Sequence, residues 1–379
     1  MISVLGVGET EYLRSSGRSV QTLGIRAARN ALADARIGPE SVDGVIPLGG
    51  LLFAEDLISG LGLRTDIADA LPAPGGNSAV ASLGLAEALV ESGRASVVLI
   101  VFARNGSSET RIANRIRMLP GQQFRHNLED PHGWSIPAAW YAMICRRHMA
   151  EHGTTKAQLA AVAMTMRRHG QENPRAMLRG RPLLLEDYLA GPMIADPYQR
   201  DDCCLETDGA AAVLVAARDR EVLTDRPGVR ILAVASARPQ SPDDLTNRID
   251  WYRIGLSAAA PAAYERAGVG PEDMDLAMIY DCFTFEVIHQ LEEAGFCSRG
   301  MGGEFVASGA VTLGGKLPVN THGGLLAEGH LGGLNHVLEA VRQLRDEAGR
   351  RQVAGARLAA VSGWGDWGDG SLAILGSKQ

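Results

Sequence analysis

The sequence predicts an α/β protein made of two similar halves, with helices covering sheets. Three observations carry that prediction. First, continuous apolar runs alternate with helical stripes along the chain. An apolar run without alternation marks a strand buried on both faces, and its repetition between helices marks α/β architecture. Second, Ala35-Arg-Ile-Gly-Pro-Glu-Ser-Val-Asp43 is echoed by Ala267-Gly-Val-Gly-Pro-Glu-Asp-Met-Asp275. Each ends a helical stripe, turns through Gly-Pro-Glu and enters an apolar strand. Third, a Gly-rich loop precedes a helix in both halves: Pro74-Gly75-Gly76-Asn77 in one, Gly329 to Gly333 in the other. Gene duplication, with equivalent loops meeting at a central site, explains all three.

The elements follow in order. The opening run, residues 1–8, has no basic leader and no long apolar core, so it reads as a first buried strand and not as a signal peptide. In residues 20–36, Val20, Leu23, Ala27, Ala28, Ala31, Leu32 and Ala35 form one stripe of helical period. A helix is expected near 79–92 and a strand at Val97 to Phe102. Residues 104–200, rich in Arg, polar residues and Pro120, Pro131, Pro137, Pro174 and Pro182, read as a large insertion before a strand at 210–216. Long insertions in compact domains are often functional. The turn Arg226-Pro227-Gly228 separates the halves, giving domains at 1–225 and 226–379. Strands at Val229 to Val234, 276–279 and Leu358 to Val361, with helices near 256–267 and 334–346, complete the second half.

Composition narrows the function. The charge is −7, from 37 basic and 44 acidic residues, and no basic tract is concentrated enough for non-specific nucleic-acid binding. The Arg-containing stretches 111–117 and 166–181 are diluted by apolar and acidic neighbours and read as solvated faces. No run approaches the ~18 apolar residues of a membrane helix, so a cytoplasmic protein is expected. The five cysteines, Cys145, Cys203, Cys204, Cys282 and Cys297, contain no CxxC pair, so no metal site is expected.

Two clusters can carry chemistry. His322, His330 and His336 fall in a Gly-rich segment leading into a helix, where a His can serve as a base near neutral pH. Free N–H groups at that helix start favour a carbonyl oxygen or oxyanion. His336, inside the helix, reads as structural. Tyr280-Asp281-Cys282 follows an apolar strand, at the strand end where α/β proteins tend to bind ligands. Tyr280 can donate a proton and Asp281 can accept or orient one. No base is identifiable beside Cys282.

Tyr280-Asp-Cys-Phe-Thr284, Gln290-Leu-Glu-Glu-Ala-Gly-Phe-Cys297 and Asn320 to His330 resemble the thiolase superfamily, in its sterol-carrier-protein-x and lipid-transfer-protein branch. His169-Gly-Gln-Glu-Asn-Pro174, Asp202 to Ala211 and the Gly-rich end Gly363 to Gly370 support it, and the resemblance covers essentially the whole chain. It implies a thiolase fold: duplicated halves in α-β-α-β-α layers, a loop domain inserted in the first half, and a homodimer.

A thiolase holds an acyl group on a nucleophilic Cys at the start of a first-half helix. Anchored on Ser92-Gly93-Arg94-Ala95-Ser96-Val97, that position falls on Gly76, or on Asn77 with a slip of one. The second thiolase Cys falls on Trp364, anchored on Gly370. Both thiols are absent. His330 matches the family's Gly-His-Pro His, with Leu331 replacing Pro; the aldolase branch often carries a second Tyr at this place. Asp281 falls where thiolases carry Asn or His, and Cys204 near the pantetheine tunnel. The resemblance therefore implies catalysis by His330, Tyr280 and Asp281, with Cys204, Gly76, Ser78, His322 and Gly332 at the substrate. A site without thiols can still stabilise a thioester enolate. The expected reaction is retro-aldol cleavage, or the reverse condensation, of a β-hydroxyacyl-CoA. No cofactor is expected besides the coenzyme A of the substrate. A zinc-ribbon and OB-fold partner of the DUF35 type is implied. The alternatives are a Claisen-type acyltransferase with a relocated or partner-supplied nucleophile, and a non-catalytic acyl-CoA-binding subunit.

Overall fold

The computed structural model describes residues 2–64, 66–70, 75–109, 111, 123–240, 248–365 and 368–377, and nine of the eleven strands among them form one mixed sheet. Pro74, Pro120, Arg-containing positions of 111–117 beyond Arg111, and Asp366 and Trp367 of the Gly-rich end lie outside the described residues. The strands are β1 (Ile2–Glu9), β2 (Gly44–Leu48), β3 (Ala68–Asp69), β4 (Val97–Asn105), β5 (Met193–Ala195), β6 (Tyr198–Gln199), β7 (Asp208–Ala217), β8 (Val229–Ala237), β9 (Leu276–Met278), β10 (Leu358–Trp364) and β11 (Gly370–Gly376). The large sheet runs β3-β2-β4-β7-β1-β8-β11-β10-β9.

The two sides of that order repeat each other. β2 pairs parallel with β4, β4 antiparallel with β7, and β7 antiparallel with β1. On the other side β9 pairs parallel with β10, β10 antiparallel with β11, and β11 antiparallel with β8. The sides join where Ile2 to Val4 of β1 face Ile231 to Val229 of β8. The echoed sequence occupies equivalent places. In each copy a helix ends on a left-handed residue, Arg36 or Gly268, and a short turn at Pro39–Ser41 or Pro271–Asp273 follows. An aspartate then fastens the entry of a neighbouring strand. Asp43 accepts from the Ser96 and Val97 N–H groups at 2.8 and 2.7 Å, and Asp275 from those of Arg357 and Leu358 at 2.7 and 2.9 Å.

Helices complete the layers. The Val20–Ala35 helix buries its predicted stripe on the outer face of the first half. Ser19 caps it by accepting the Thr22 N–H at 3.1 Å. The helices Ser78–Glu91 and Leu334–Leu344 lie between the halves, packed among Val98, Ile100 and Val213 on one side and Met278, Val361 and Ala373 on the other. Ser78–Glu91 lacks a polar face, as a helix covered on both sides requires. The Leu256–Ala267 helix covers the outer face of the second half. This is the α-β-α-β-α order.

The insertion departs from the sequence reading at its start. β4 continues past Phe102, pairing Ala103, Arg104 and Asn105 with Ala210, Gly209 and Asp208. The inserted segment therefore begins after Asn105, and Arg104 belongs to the sheet. Among the inserted elements are the helices Pro137–His152 and Lys156–Glu172 and the small β5-β6 hairpin. The Lys156–Glu172 helix packs on Phe285, Ile288, Leu291 and Leu325 of the second half. At its end His169 Nε2 accepts the Leu313 N–H, so Nδ1–H donates to the Asn320 carbonyl at 3.3 Å. Among the described residues no helix is long and apolar enough to cross a membrane.

Candidate active site

The ends of β4 and β9 and the start of the Leu334–Leu344 helix meet at Tyr280 and His330. Tyr280 is 5% exposed and His330 9%. The Tyr280 hydroxyl lies 3.1 Å from His330 Nε2. On the far side of the ring, Arg104 donates to His330 Nδ1 at 2.9 Å. Both residues are fixed through their backbones. Tyr280 N–H donates to Ser362 Oγ at 3.2 Å, Gln290 Nε2 donates to the Tyr280 carbonyl at 2.6 Å, and the Ser362 hydroxyl donates to Gln290 Oε1 at 2.8 Å. The His330 N–H donates to Thr207 Oγ1 at 3.0 Å.

This chain of contacts fixes the His330 tautomer. Guanidinium has donors only, so Nδ1 must be an acceptor. Burial, and then the Arg104 charge, push the His330 imidazole well below its usual range. The ring is therefore neutral, with its proton on Nε2 and directed at the Tyr280 oxygen. The phenol accepts from the imidazole and keeps its own hydrogen to donate elsewhere.

Asp281, one residue on, is fully buried and faces a different direction. Its carboxylate accepts from Leu325 N–H at 2.8 Å and Leu326 N–H at 3.4 Å, and His336 Nε2 stands 3.1 Å from Oδ1. Burial pushes this carboxyl up, while His336 and the two N–H groups pull it back. Through these bonds Asp281 holds the loop that leads to His330.

His322 lies inside the protein. It is buried at 1% exposure, and its Nε2 meets His336 Nδ1 at 3.0 Å, with Glu328 Oε2 3.6 Å away. Its Nε2 takes part in a buried polar chain, while its Nδ1 has no hydrogen-bond partner among the described residues. Glu328 is held by Asn173 and Asn335, whose amides donate at 2.7 and 2.8 Å. Burial and the nearby Glu9 carboxylate push the Glu328 carboxyl up to about 8.

That value has a consequence for stability. A carboxyl that binds its proton more tightly when folded lends stability that is whole below its ordinary value of 4.5 and drains away as pH rises toward 8. Burial lowers His169 to about 4 and also lowers His289, His322 and His330, which acts in the opposite direction around their ordinary value of 6.5. The Glu328 contribution is therefore read as the difference between wild type and Glu328→Gln. Between about pH 5 and 8, urea unfolding is expected to show the wild type losing stability relative to the variant, by at most about 1.4 kcal/mol per pH unit. An unchanged slope in the variant would contradict the assignment.

The remaining expected residues fall as follows. Gly76 packs directly against Tyr280: a Cβ there would lie 2.2 Å from Tyr280 Cζ, 2.4 Å from its hydroxyl oxygen and 2.4 Å from the Trp364 carbonyl oxygen. Ser78 donates its hydroxyl to the Gly75 carbonyl at 2.8 Å, so it serves the turn. Gly332 has φ +64° and sits on the Phe102 ring, and Gly333 sits on the Tyr280 ring. Cys204 donates its N–H to the Cys282 carbonyl at 2.9 Å; burial, and then Cys203, push its thiol far up, while Arg104 pulls it down.

No thiol is activated among those with a resolved shift. Burial raises Cys145, and raises Cys203 and Cys297 to about 12. Cys282 donates to Glu286 Oε2 at 2.6 Å. A cavity of about 850 Å³ opens elsewhere, lined by Glu9, Arg26, Arg175 and Arg342 among others, and Tyr280 and His330 take no part in it.

The sequence reading missed Arg104, Thr207, Ser362 and Gln290. Arg104 had a readable signal, since a charged residue ending an otherwise apolar buried strand needs a buried partner.

Residues 239–377 match the family described as Thiolase C-terminal domain-like. The chain is 37% identical to 17-hydroxy-3-oxo-4-pregnene-20-carboxyl-CoA lyase of Mycobacterium tuberculosis, over 90% of this chain and 91% of that protein. It is 33% identical to a steroid side-chain-cleaving aldolase of Thermomonospora curvata, over 90% of each. It is also 33% identical to an acetyl-CoA acetyltransferase of Methanothermobacter thermautotrophicus, over 98% of each. The solved structure of an Ltp2-ChsH2(DUF35) aldolase matches with a TM-score of 0.92 and 31% identity, covering 99% of this chain and 97% of that one.

Proposed function

Because this chain belongs to the thiolase superfamily, in its sterol-carrier-protein-x and lipid-transfer-protein branch of aldolases, we propose that Tyr280 and His330 are the centre of a β-hydroxyacyl-CoA lyase. The carrying observation is the Arg104–His330–Tyr280 chain beside a glycine where a thiolase needs its nucleophile. In the cleavage direction a base takes the β-hydroxyl proton and the Cα–Cβ bond breaks. A ketone or aldehyde forms, and the electron pair moves into the thioester as an enolate that is then protonated at Cα. Water and free CoA are not consumed.

The tautomer assigns the parts. With its proton on Nε2, His330 is a donor and cannot be the base. It stabilises negative charge on the Tyr280 oxygen, and the buried guanidinium behind it adds to that effect. Tyr280 is then the group that exchanges the proton with the substrate hydroxyl. Its phenol gives up its own proton to solvent before cleavage, and the phenolate held by His330 accepts the β-hydroxyl proton. The phenol so re-formed returns that proton to the enolate at Cα. The buried surroundings strengthen these interactions relative to water.

The names of the relatives support a steroid acyl-CoA as substrate, and that of the solved structure supports a DUF35 partner. A homodimer and a cytoplasmic location complete the reading. The test is incubation, alone and with a DUF35 partner, with a panel of β-hydroxyacyl-CoA esters followed by mass analysis. A carbonyl product plus a shortened acyl-CoA, formed without added CoA, is expected. Product formation only with added free CoA would overturn the lyase reading.

The similarity to an acetyl-CoA acetyltransferase keeps an acyl-transfer reading in view. Thiol chemistry separates the two. The raised thiols are poor nucleophiles, since the thiolate is the reactive form. Iodoacetamide at pH 7.5 is expected to leave turnover within about twofold of the untreated enzyme. Alkylation that abolishes turnover would favour acyl transfer.

A further inference from the structure

Gly76 and Trp364 lie in different halves of the chain, as do Gly76 and Tyr280, yet all three meet at one point. Tyr280 Cζ and its hydroxyl oxygen stand 2.2 and 2.4 Å from where a Cβ on residue 76 would be, and the Trp364 carbonyl oxygen stands 2.4 Å from it. One obstacle is a backbone oxygen. The other is an aromatic ring held at its own backbone by Ser362 and Gln290. Gly333 closes in from a further side, its own Cβ position 3.1 Å from Tyr280 Cδ2. Atoms at such separations overlap, and a close-packed interior has no spare volume to absorb them.

We propose that Gly76 and Tyr280 form a mutually exclusive pair that commits this site to carbon–carbon cleavage. The phenol occupies the space that any side chain at position 76 would need, so a nucleophile there and a catalytic phenol at 280 cannot coexist. Gly76 is thus a positioning residue: it admits the ring to the place where its oxygen meets His330 Nε2. The inference rests on the lyase reading for its kinetic consequence, whereas the steric exclusion stands without it.

The test is a double-mutant cycle with Gly76→Ala and Tyr280→Phe, read by carbonyl release from the β-hydroxyacyl-CoA. If a methyl at 76 displaces the phenol, Gly76→Ala loses on the order of a hundredfold in kcat or more, with its Tm lower by only a few degrees (about 2–4 °C). Tyr280→Phe then adds nothing further in the Gly76→Ala background, because contacting residues that act as a unit are not additive. General damage to the fold would instead multiply the two losses, and multiplicative losses would overturn the proposal.

A second measurement needs no turnover. The His330 imidazole N–H resonance, which reports the hydrogen bond to Tyr280, is expected to shift in Gly76→Ala as it does in Tyr280→Phe. An unshifted resonance would overturn the proposal even if no ester is cleaved. A wild-type enzyme that cleaves no ester but shows the shift would sink the lyase reading alone.

Discussion

Tyr280→Phe is expected to lower the rate of carbonyl release on the order of a thousandfold, while leaving KM within a few-fold and the fold intact. The reasoning is local. The substitution deletes one oxygen, the atom that meets His330 Nε2 at 3.1 Å. The ring still fills the space over Gly76 and Gly333, so packing is preserved. A general acid or base contributes roughly 10²–10⁴ in rate, and an interaction made only in the transition state appears in kcat and not in KM. Deleting the oxygen also leaves the buried Nε2–H of His330 without its acceptor, which costs about 1–3 kcal/mol. A Tm shift of several degrees is therefore acceptable. The decisive number is the single-turnover rate of C–C cleavage, by quenched flow and mass detection. A variant that retains more than about a tenth of the wild-type rate would remove Tyr280 from the chemistry.

Arg104→Met is expected to lower kcat roughly 10²-fold. Methionine keeps an unbranched apolar stem in the buried site but removes the donor to His330 Nδ1. Without it the imidazole populates both tautomers, and the Nδ1–H form presents a lone pair to the phenol where a donor is needed. Because the guanidinium helps hold His330 below its usual range, the variant's imidazole should also titrate closer to neutral pH. Long-range ¹⁵N–¹H spectra of the imidazole read both effects: a single Nε2–H form in the wild type, and a mixture in the variant. Arg104→Lys should recover only part of the loss, since an ammonium lacks the planar fork that fits this contact. A wild-type spectrum with the proton on Nδ1 would refute the tautomer and the role assigned to Tyr280.

Much of the fold was legible because buried strands and helical stripes leave period and composition in the sequence. The paired echoes at Asp43 and Asp275 even carry equivalent hydrogen bonds. The meeting of Tyr280 with His330 was also within reach, since both sit at loops flanking apolar elements. What escaped was everything decided by direction. Asp281 adjoins Tyr280 in sequence, yet successive side chains at a strand end point opposite ways, and its carboxylate turns to Leu325 and His336. His322 shares a Gly-rich loop with His330 but meets His336, with two φ-positive glycines, 323 and 324, on the chain between them. Arg104 was lost by ending β4 at Phe102, whereas pairing with β7 continues to Asn105.

The contact between Gly76 and Tyr280 also bears on descent. Two positions encoded more than 200 residues apart occupy one volume, so neither can revert alone. A cysteine restored at 76 must displace the phenol before it can accept an acyl group, and a residue that vacates 280 removes the phenol while no thiol stands ready. Each single step back crosses an inactive intermediate. Sign epistasis of this kind acts as a ratchet: once a duplicated chain has exchanged its thiol for a phenol, ordinary point mutation and selection on activity hold it on the new reaction.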